Sequence, residues 1–135
     1  MGAPSQSAKD LGLFTVEATA TIYQALERIE LNKSRCVLVV EQGKVVGTCS
    51  EGDIVRALLR GISVYAPLND VLNPGFMYLT SRDLGKAHQL FARHLLSLIP
   101  VVDAEFQLRD VITLGELLQE LIPRSRRCPS GADGS

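Results

Sequence analysis

The sequence has few cysteines and none of the spacings that bind a structural metal. Its 135 residues include Cys36, Cys49 and Cys128, and no two of them form a Cys-x-x-Cys pair. Three thiols cannot all pair within one chain, and this usage is typical of proteins kept in a reducing compartment. We therefore expect free thiols, with Cys36 and Cys49 buried in strands, and no metal site.

An excess of charge of one sign and long apolar runs are also missing. The chain has 14 Lys and Arg against 15 Asp and Glu, a formal net charge of −1. Near neutrality supplies no broad field to attract a polyanion, so nucleic-acid binding is not expected, whereas recognition of a single phosphate by a few aimed donors stays open. No stretch approaches the roughly 20 apolar residues of a membrane helix. We expect a soluble cytoplasmic protein that does not enter the membrane.

Patterns typical of catalysis are absent as well. The sequence has no nucleophile–base pair, metal-ligand cluster or phosphate loop, which argues against an enzyme. His88 falls on the apolar face of a predicted helix, where we expect a partly buried, satisfied side chain, and His94 lies too far around that helix to form a metal pair with it. Four arginines could contact a phosphate but are expected to be solvated: Arg35, Arg56, Arg60 and Arg82.

What the sequence does contain is an internal repeat. With a shift of 62 residues, the first half of the chain falls on chemically similar positions of the second, and after one inserted residue the shift becomes 63. Such a repeat sets the architecture before any single element is assigned. The matched pairs include Phe14 with Phe76, Thr19 with Ser81, Ile22 with Leu84, Ala25 with Ala87, Ile29 with Phe91, Val39-Val40 with Val101-Val102, Ser50 with Thr113 and Asp53 with Glu116.

The first repeat predicts the order βαββα. Thr21 and Gln24 have the spacing of a capping box, and they precede a helix with one apolar face. The β-branched run at 36–40 predicts a strand covered on both sides, and Gly43 a turn into a second strand. A second helix follows from Ser50 through residue 59, and Gly61 is placed to end it.

The second repeat predicts the same elements in the same order. Ser81 is the expected cap of its first helix. Pro100 lacks an N–H, so the strand at 98–102 is expected to be an edge or to have an unpaired amide side. Short leading strands are expected near 14–16 and 76–79. The resulting divisions are a flexible N-terminus at 1–12, a first unit at 13–66, a second unit at 67–122 and a flexible tail at 123–135.

The stretch Val46-Gly-Thr-Cys-Ser-Glu-Gly-Asp53 carries the most chemistry, because a strand ends there and a helix begins. The free backbone amides of a helix N-terminus stabilise a phosphate, and Gly47 and Gly52 would let a ligand approach the backbone. Ser50 could bind a ribose or phosphate oxygen, and Asp53 could accept two ribose hydroxyls. The same Ser-x-x-Asp spacing also forms a capping box with no ligand at all, so both interpretations stay open.

The residues resemble a cystathionine-β-synthase (CBS) domain. The resemblance lies in Val37-Leu-Val-Val-Glu41, the Gly43 turn and Val45-Val-Gly-Thr-Cys-Ser-Glu-Gly-Asp-Ile-Val-Arg-Ala-Leu58. Ile99-Pro-Val-Val-Asp103 and Val111-Ile-Thr-Leu-Gly-Glu116 are similar to the second member of a tandem pair, the Bateman module, so that the resemblance covers about residues 13–122. It implies an α/β (α+β) fold of two βαββα units, related by a pseudo-twofold axis, with sheets packed together and helices outside.

The resemblance also implies two clefts between the units. The first would join Ser50 and Asp53 to Tyr78, Thr80, Leu98, Ile99 and Pro100. The second would join Thr113 and Glu116 to Val16, Cys36, Val37 and Leu38. The second departs from the family pattern, because Asp110 replaces a glycine, Glu116 replaces an aspartate and the turn glycine is missing near Phe106. Glu places its carboxylate roughly 1.5 Å farther out, so we expect the first cleft to bind and the second to be weak or empty.

The implied function is that of a non-catalytic sensor. The ligand would be AMP, ADP, ATP or S-adenosylmethionine, with no obligatory cofactor. Ligand occupancy would be transmitted to a partner enzyme or transporter, or through a homodimer. The dimer would use exposed helix faces that include Leu58-Leu59 and Leu117-Leu118. The alternatives are a degenerate pair that acts only in dimerisation or docking, and a regulatory fragment of a sugar-phosphate isomerase or nucleotidyltransferase.

Overall fold

The computed structural model describes residues 9–121; the expectations for the tail and for Cys128 lie outside the described residues. The fold is mixed α/β, as predicted, and each unit has its own small sheet. The elements follow in the order 3-10 helix (Leu11–Phe14), β1 (Thr15–Glu17), α1 (Ile22–Asn32), β2 (Cys36–Glu41), β3 (Lys44–Ser50), α2 (Glu51–Leu59), 3-10 helix (Leu68–Asp70), α3 (Leu84–Arg93), β4 (Leu98–Val102), β5 (Leu108–Thr113) and α4 (Leu114–Leu121).

The first unit forms the predicted elements for the predicted reasons. The Thr21 hydroxyl accepts from the Gln24 amide at 3.1 Å, and the Gln24 side chain accepts from the Thr21 amide at 2.9 Å, which completes the capping box. Strand β2 pairs in parallel with β1 and antiparallel with β3 across the Gly43 turn. Helix α2 ends where Gly61 adopts a φ of 89° and donates its N–H to the Leu58 carbonyl at 3.0 Å.

In the second unit the predicted cap was wrong. Helix α3 begins at Leu84, and its N-cap is Asp83, whose carboxylate accepts from the Lys86 amide at 3.1 Å. Ser81 lies two residues earlier and caps nothing. The repeat itself contained this result, because a shift of 62 places Asp83 on Thr21, the cap of α1.

The leading strand of the second unit is reduced to one bridge. Leu79 donates to the Pro100 carbonyl at 3.0 Å and accepts from the Val102 amide at 2.9 Å. Pro100 has no N–H on the same side of β4, so the next rung of a parallel ladder toward residue 77 cannot form. The predicted strand at 76–79 is therefore confirmed only at its last residue.

The two sheets share one irregularity and meet edge to edge. The pairing of β2 with β3 shifts register between Val39 and Val40, and that of β4 with β5 shifts between Val101 and Val102, the positions that the repeat superimposes. The Val45 amide donates to the Phe106 carbonyl at 2.9 Å, which places the two hairpin turns side by side. Apolar side chains from both units also share core clusters, including Leu38 with Leu98 and Val111, and Val40 and Val45 with Val102.

Two expectations about helix faces need correction. Leu117 is 2% exposed because it lies on the inward face of α4, whereas Leu58, Leu59 and Leu118 are exposed as expected. His88 is exposed rather than partly buried, since α3 turns Ala87 toward the core and His88 lies 100° farther around the helix. Within residues 9–121, no helix has the length and apolar content needed to cross a bilayer.

Candidate functional site

Ser50 and Asp53 form a complete capping box at the start of α2. The Ser50 hydroxyl accepts from the Asp53 amide at 3.1 Å, and Oδ2 of Asp53 accepts from the Ser50 amide at 3.0 Å. The other carboxylate oxygen of Asp53 lies 2.5 Å from Nη2 of Arg56, one turn along the helix. Both residues therefore stabilise the helix end whether or not they bind a ligand.

The same two residues border a cavity between the units. Its volume is about 290 Å³, and its wall joins the end of β3 and the start of α2 to the linker after Leu72 and to the segment before β4. Three of the predicted first-cleft residues, Ser50, Asp53 and Leu98, lie together in this wall. The full lining is Cys36, Thr48, Ser50, Asp53, Asn73, Gly75, Phe76, Met77, His94, Leu95, Leu96, Ser97 and Leu98.

Four predicted first-cleft residues do not reach this cavity. Ile99 lies on the face of β4 opposite Leu98, where it packs under α3 with Ala87, and Pro100 is fully buried. Tyr78 packs against Phe106, with ring centroids 5.0 Å apart, and Thr80 lies on the surface beyond the Leu79 bridge.

Most lining residues that the sequence analysis missed come from two irregular segments, 73–77 and 94–97, and Thr48 lies on β3. Cys36 was predicted for the other cleft, but the repeat holds a signal for it, because a shift of 62 places it on Leu98 and both line the cavity. The linker residues had no such signal. The linker can pack closely against β3 because Gly47 lacks a side chain: a Cβ there would lie 2.9 Å from the Asn73 carbonyl oxygen. Gly47 therefore faces the linker rather than the ligand that the sequence analysis expected. A Cβ added at Gly52 would have no contact closer than 3.5 Å.

The cavity has little charge of its own. Among residues 9–121, Asp53 is the one carboxylate of the lining, His94 is the one histidine, and no lysine or arginine belongs to the lining. Cys36 contributes no charge, because burial, reinforced by the Asp53 carboxylate, raises the pKa of its thiol to about 12. Among residues 9–121, no three His, Cys, Asp or Glu side chains are grouped as a metal site.

The second predicted cleft is occupied by Lys9. Its ammonium lies 2.6 Å from Oε2 of Glu116 and 3.3 Å from Oδ1 of Asp110, and it also donates to the Val111 carbonyl. Partial burial alone would raise the pKa of the Asp110 carboxyl. The Val111 amide and the Lys9 ammonium, with Arg82, outweigh that effect and hold the pKa below its ordinary value.

The segment that carries Lys9 separates the residues predicted to form this cleft. Residues 9–12, expected to belong to a flexible end, lead into a 3-10 helix whose Leu11 and Leu13 pack on the cluster that holds Leu38. Thr113 and Glu116 remain together in a shallow groove with Arg82. Cys36 lines the first cavity instead, Val37 is fully buried in the first unit, and Val16 borders a separate groove along α1.

Comparison with known proteins agrees with this architecture. Residues 8–60 match the family model for the CBS domain. An uncharacterized protein of Helicobacter pylori strain 26695 is 31% identical over 96 residues, an alignment that covers 67% of this chain and 29% of that protein. The CBS domain-containing protein YhcV of Bacillus subtilis is 29% identical over 105 residues, covering 76% of this chain and 74% of YhcV. The chain thus spans less than a third of the Helicobacter pylori relative.

Solved structures share the whole fold. A CBS domain pair/ACT domain protein of Thermotoga maritima superimposes with a TM-score of 0.67 at 23% identity, covering 79% of this chain and 86% of that one. A CBS domain protein of Pyrobaculum aerophilum, complexed with AMP, has a TM-score of 0.67 at 20% identity and covers 84% and 98%. The cytosolic domain of the Mg²⁺ channel MgtE, in complex with ATP, has a TM-score of 0.64 at 23% identity and covers 79% and 44%.

Proposed function

The chain belongs to the CBS domain family, and we propose that it is a regulatory, non-catalytic module that binds AMP, ADP or ATP in the cavity between its two units. The observation that carries the proposal is that Ser50, Asp53 and Leu98, which come from opposite units, border one cavity. Solved structures of the same fold hold AMP and ATP. S-adenosylmethionine, the other expected ligand, has no such support among them.

The side chains suit a nucleoside. The Ser50 hydroxyl accepts one hydrogen bond from the backbone, and its own proton remains to be donated to a ribose oxygen. Each Asp53 oxygen has a second acceptor position beyond its bond to Ser50 or Arg56, so the carboxylate can accept ribose hydroxyls without losing its role as a cap. Phe76, Met77 and Leu98 supply apolar surface for the base.

The position of the cavity between the units provides a route by which ligand occupancy is transmitted to a partner. A ligand there contacts the start of α2 in the first unit and the segment before β4 in the second, so it favours whichever arrangement of the units fits it better. Occupancy changes a partner only if the two arrangements bind ligand unequally. We propose that the signal passes to a second copy of the chain, or to a partner enzyme or transporter. The two buried free thiols support a reducing, cytoplasmic location.

A second candidate function is docking without a ligand. The capping box of α2 is fully satisfied without any ligand, and exposed apolar side chains on α2 and α4 offer a surface for self-association: Val55, Leu58, Leu59, Leu114 and Leu118. A pair of CBS units that no longer binds a ligand would keep this surface, and its cavity would have no function. A regulatory segment of a larger sugar-phosphate isomerase or nucleotidyltransferase would be compatible with either function.

A thermal-shift panel separates the two functions. The chain is melted alone and with saturating AMP, ADP, ATP or S-adenosylmethionine. A ligand present at 100 times its dissociation constant adds about 2.7 kcal/mol to the free energy of unfolding, which is readily seen as a higher melting temperature. A rise with at least one adenine nucleotide is the expected result. No rise with any of the three nucleotides would contradict the sensor function and leave docking.

A further inference from the structure

We infer that the first cavity selects an adenosine ligand carrying at most one phosphate, and that His94 is the residue that recognises that phosphate. This inference rests on the proposed nucleotide site and adds its specificity. It follows from the size of the cavity, from the charge of its lining and from the way in which the neighbouring positive charges are already paired.

The size of the cavity favours a small ligand. Its volume of about 290 Å³ lies just below the roughly 300–1,000 Å³ range of small-molecule sites. A nucleoside uses much of that space, and each additional phosphate must extend beyond it. The inner polar contacts at Ser50 and Asp53 then hold the ribose, and the phosphate end lies toward the rim.

The charge of the lining opposes a polyphosphate. Asp53 places a carboxylate in the wall, and its closest cation, Arg56, is held by it at 2.5 Å. His94 is the one lining side chain among residues 9–121 that can bear a positive charge, and it is exposed at the C-terminal end of α3. One such group can balance part of the charge of a monophosphate, but the second and third phosphates of ATP would have no cation among the lining residues.

Along the route out of the cavity, the one cation that residues 9–121 provide lies beside a carboxylate. A groove continues past Ser50 and Ser97 toward Arg35, which directly precedes β2 and accepts a hydrogen bond from the Glu51 amide at the start of α2. The Arg35 guanidinium lies 3.7 Å from Oε1 of Glu51, a carboxylate that repels a second anion, and both side chains are largely exposed to solvent. Screening by water and salt makes such a pair a weak phosphate site compared with an unpaired cation.

The test is a set of calorimetric titrations of the full chain with adenosine, AMP and ATP. We expect AMP to bind more tightly than ATP, and His94→Gln to weaken AMP by about tenfold to a hundredfold, the range for a hydrogen bond to a charged group. Adenosine affinity should be unchanged in His94→Gln. Arg35→Gln is the matched control and should leave all three affinities unchanged.

The possible failures are distinguishable. Binding of ATP that is as tight as, or tighter than, the binding of AMP would overturn the size and charge selection. Equal AMP affinity in the wild type and His94→Gln, or loss of AMP affinity in Arg35→Gln, would overturn the assignment of the phosphate to His94. Absence of binding by all three ligands would contradict the proposed nucleotide site itself.

Discussion

The ammonium of Lys9 lies 2.6 Å from Oε2 of Glu116, the residue that the repeat places on Asp53. The N-termini of α2 and α4 therefore differ in the surroundings of their acidic residue. Asp53 borders an open cavity, whereas Glu116 is joined by a cation from the N-terminal segment of the same chain. A pair of units that is similar in backbone thus has two clefts of different chemistry.

Replacing Lys9 with Met should destabilise the fold while retaining most of the side chain's apolar length. The change removes the contacts to Glu116, Asp110 and the Val111 carbonyl. Because these side chains are 20–33% exposed, solvent screens the pairs, and we expect a loss of about 1 kcal/mol in the free energy of unfolding by urea titration. Lys86→Met, at an exposed position on α3, should change it by less than about 0.5 kcal/mol. Equal stability of the two variants would show that the Lys9 contacts contribute nothing.

The stability difference between wild type and Lys9→Met should depend on pH. The pKa of Asp110 is lowered in the folded chain, so its contribution is present above the pKa of the unfolded chain, 3.8, and is lost as the pH falls through the folded value. Protonation removes the charge that Lys9 pairs with. Urea titrations from pH 7 down to pH 3 should show the difference shrinking below about pH 4. A difference that stays constant over this range would mean that Lys9 acts by packing alone.

The two buried thiols should resist modification in the folded protein. Burial, with the charge of Asp53 adding to it, raises the pKa of both Cys36 and Cys49 to about 12. The thiolate is the reactive form, so little of it exists at pH 8. In a Cys128→Ser background, a thiol reagent should label neither cysteine of the native chain and both after addition of denaturant. Rapid labelling of native Cys36, which lines the cavity, would contradict its burial.

We expect the absence of a side chain at Gly47 to be required for the linker at 72–73 to pack against β3. An added Cβ would lie 2.5 Å from Cδ1 of Leu72 and 2.9 Å from the Asn73 carbonyl, and the Asn73 backbone is fixed by two hydrogen bonds to Thr48. We expect Gly47→Ala to lower the free energy of unfolding by about 1–3 kcal/mol through overpacking. Gly52→Ala on α2, where an added Cβ would make only ordinary van der Waals contacts of 3.5 Å or longer, is the control and should be neutral or slightly stabilising. A tolerated Gly47→Ala would show that the linker moves easily.

The sequence predicted the features that local chemistry and the repeat determine. The capping boxes at Thr21 and Ser50, the Gly43 turn and the order of strands and helices follow from short-range spacing, and the register shifts of both sheets fall at positions that the repeat superimposes. The cap of α3 was missed because Ser81 and Asp83 are both good caps, and only the repeat alignment distinguishes them.

The parts of the site that the sequence missed depend on long-range packing. His94 and Asn73 lie in irregular segments, and no spacing rule places such segments beside the start of α2. Lys9 is separated from Glu116 by more than 100 residues, so its contact follows from the fold alone. Tyr78 was misplaced because Pro100 shortens the leading strand, and its ring packs on Phe106 instead.

The most direct test of the nucleotide site is a calorimetric titration of AMP into wild type, Asp53→Asn and Glu116→Gln. Both substitutions remove one carboxylate charge from equivalent capping boxes while retaining an acceptor for the cap, so they form a matched pair. One AMP per chain in the wild type, at least tenfold weaker binding in Asp53→Asn and unchanged binding in Glu116→Gln is the predicted result. Two AMP molecules per chain, or equal affinity in wild type and Asp53→Asn, would contradict it.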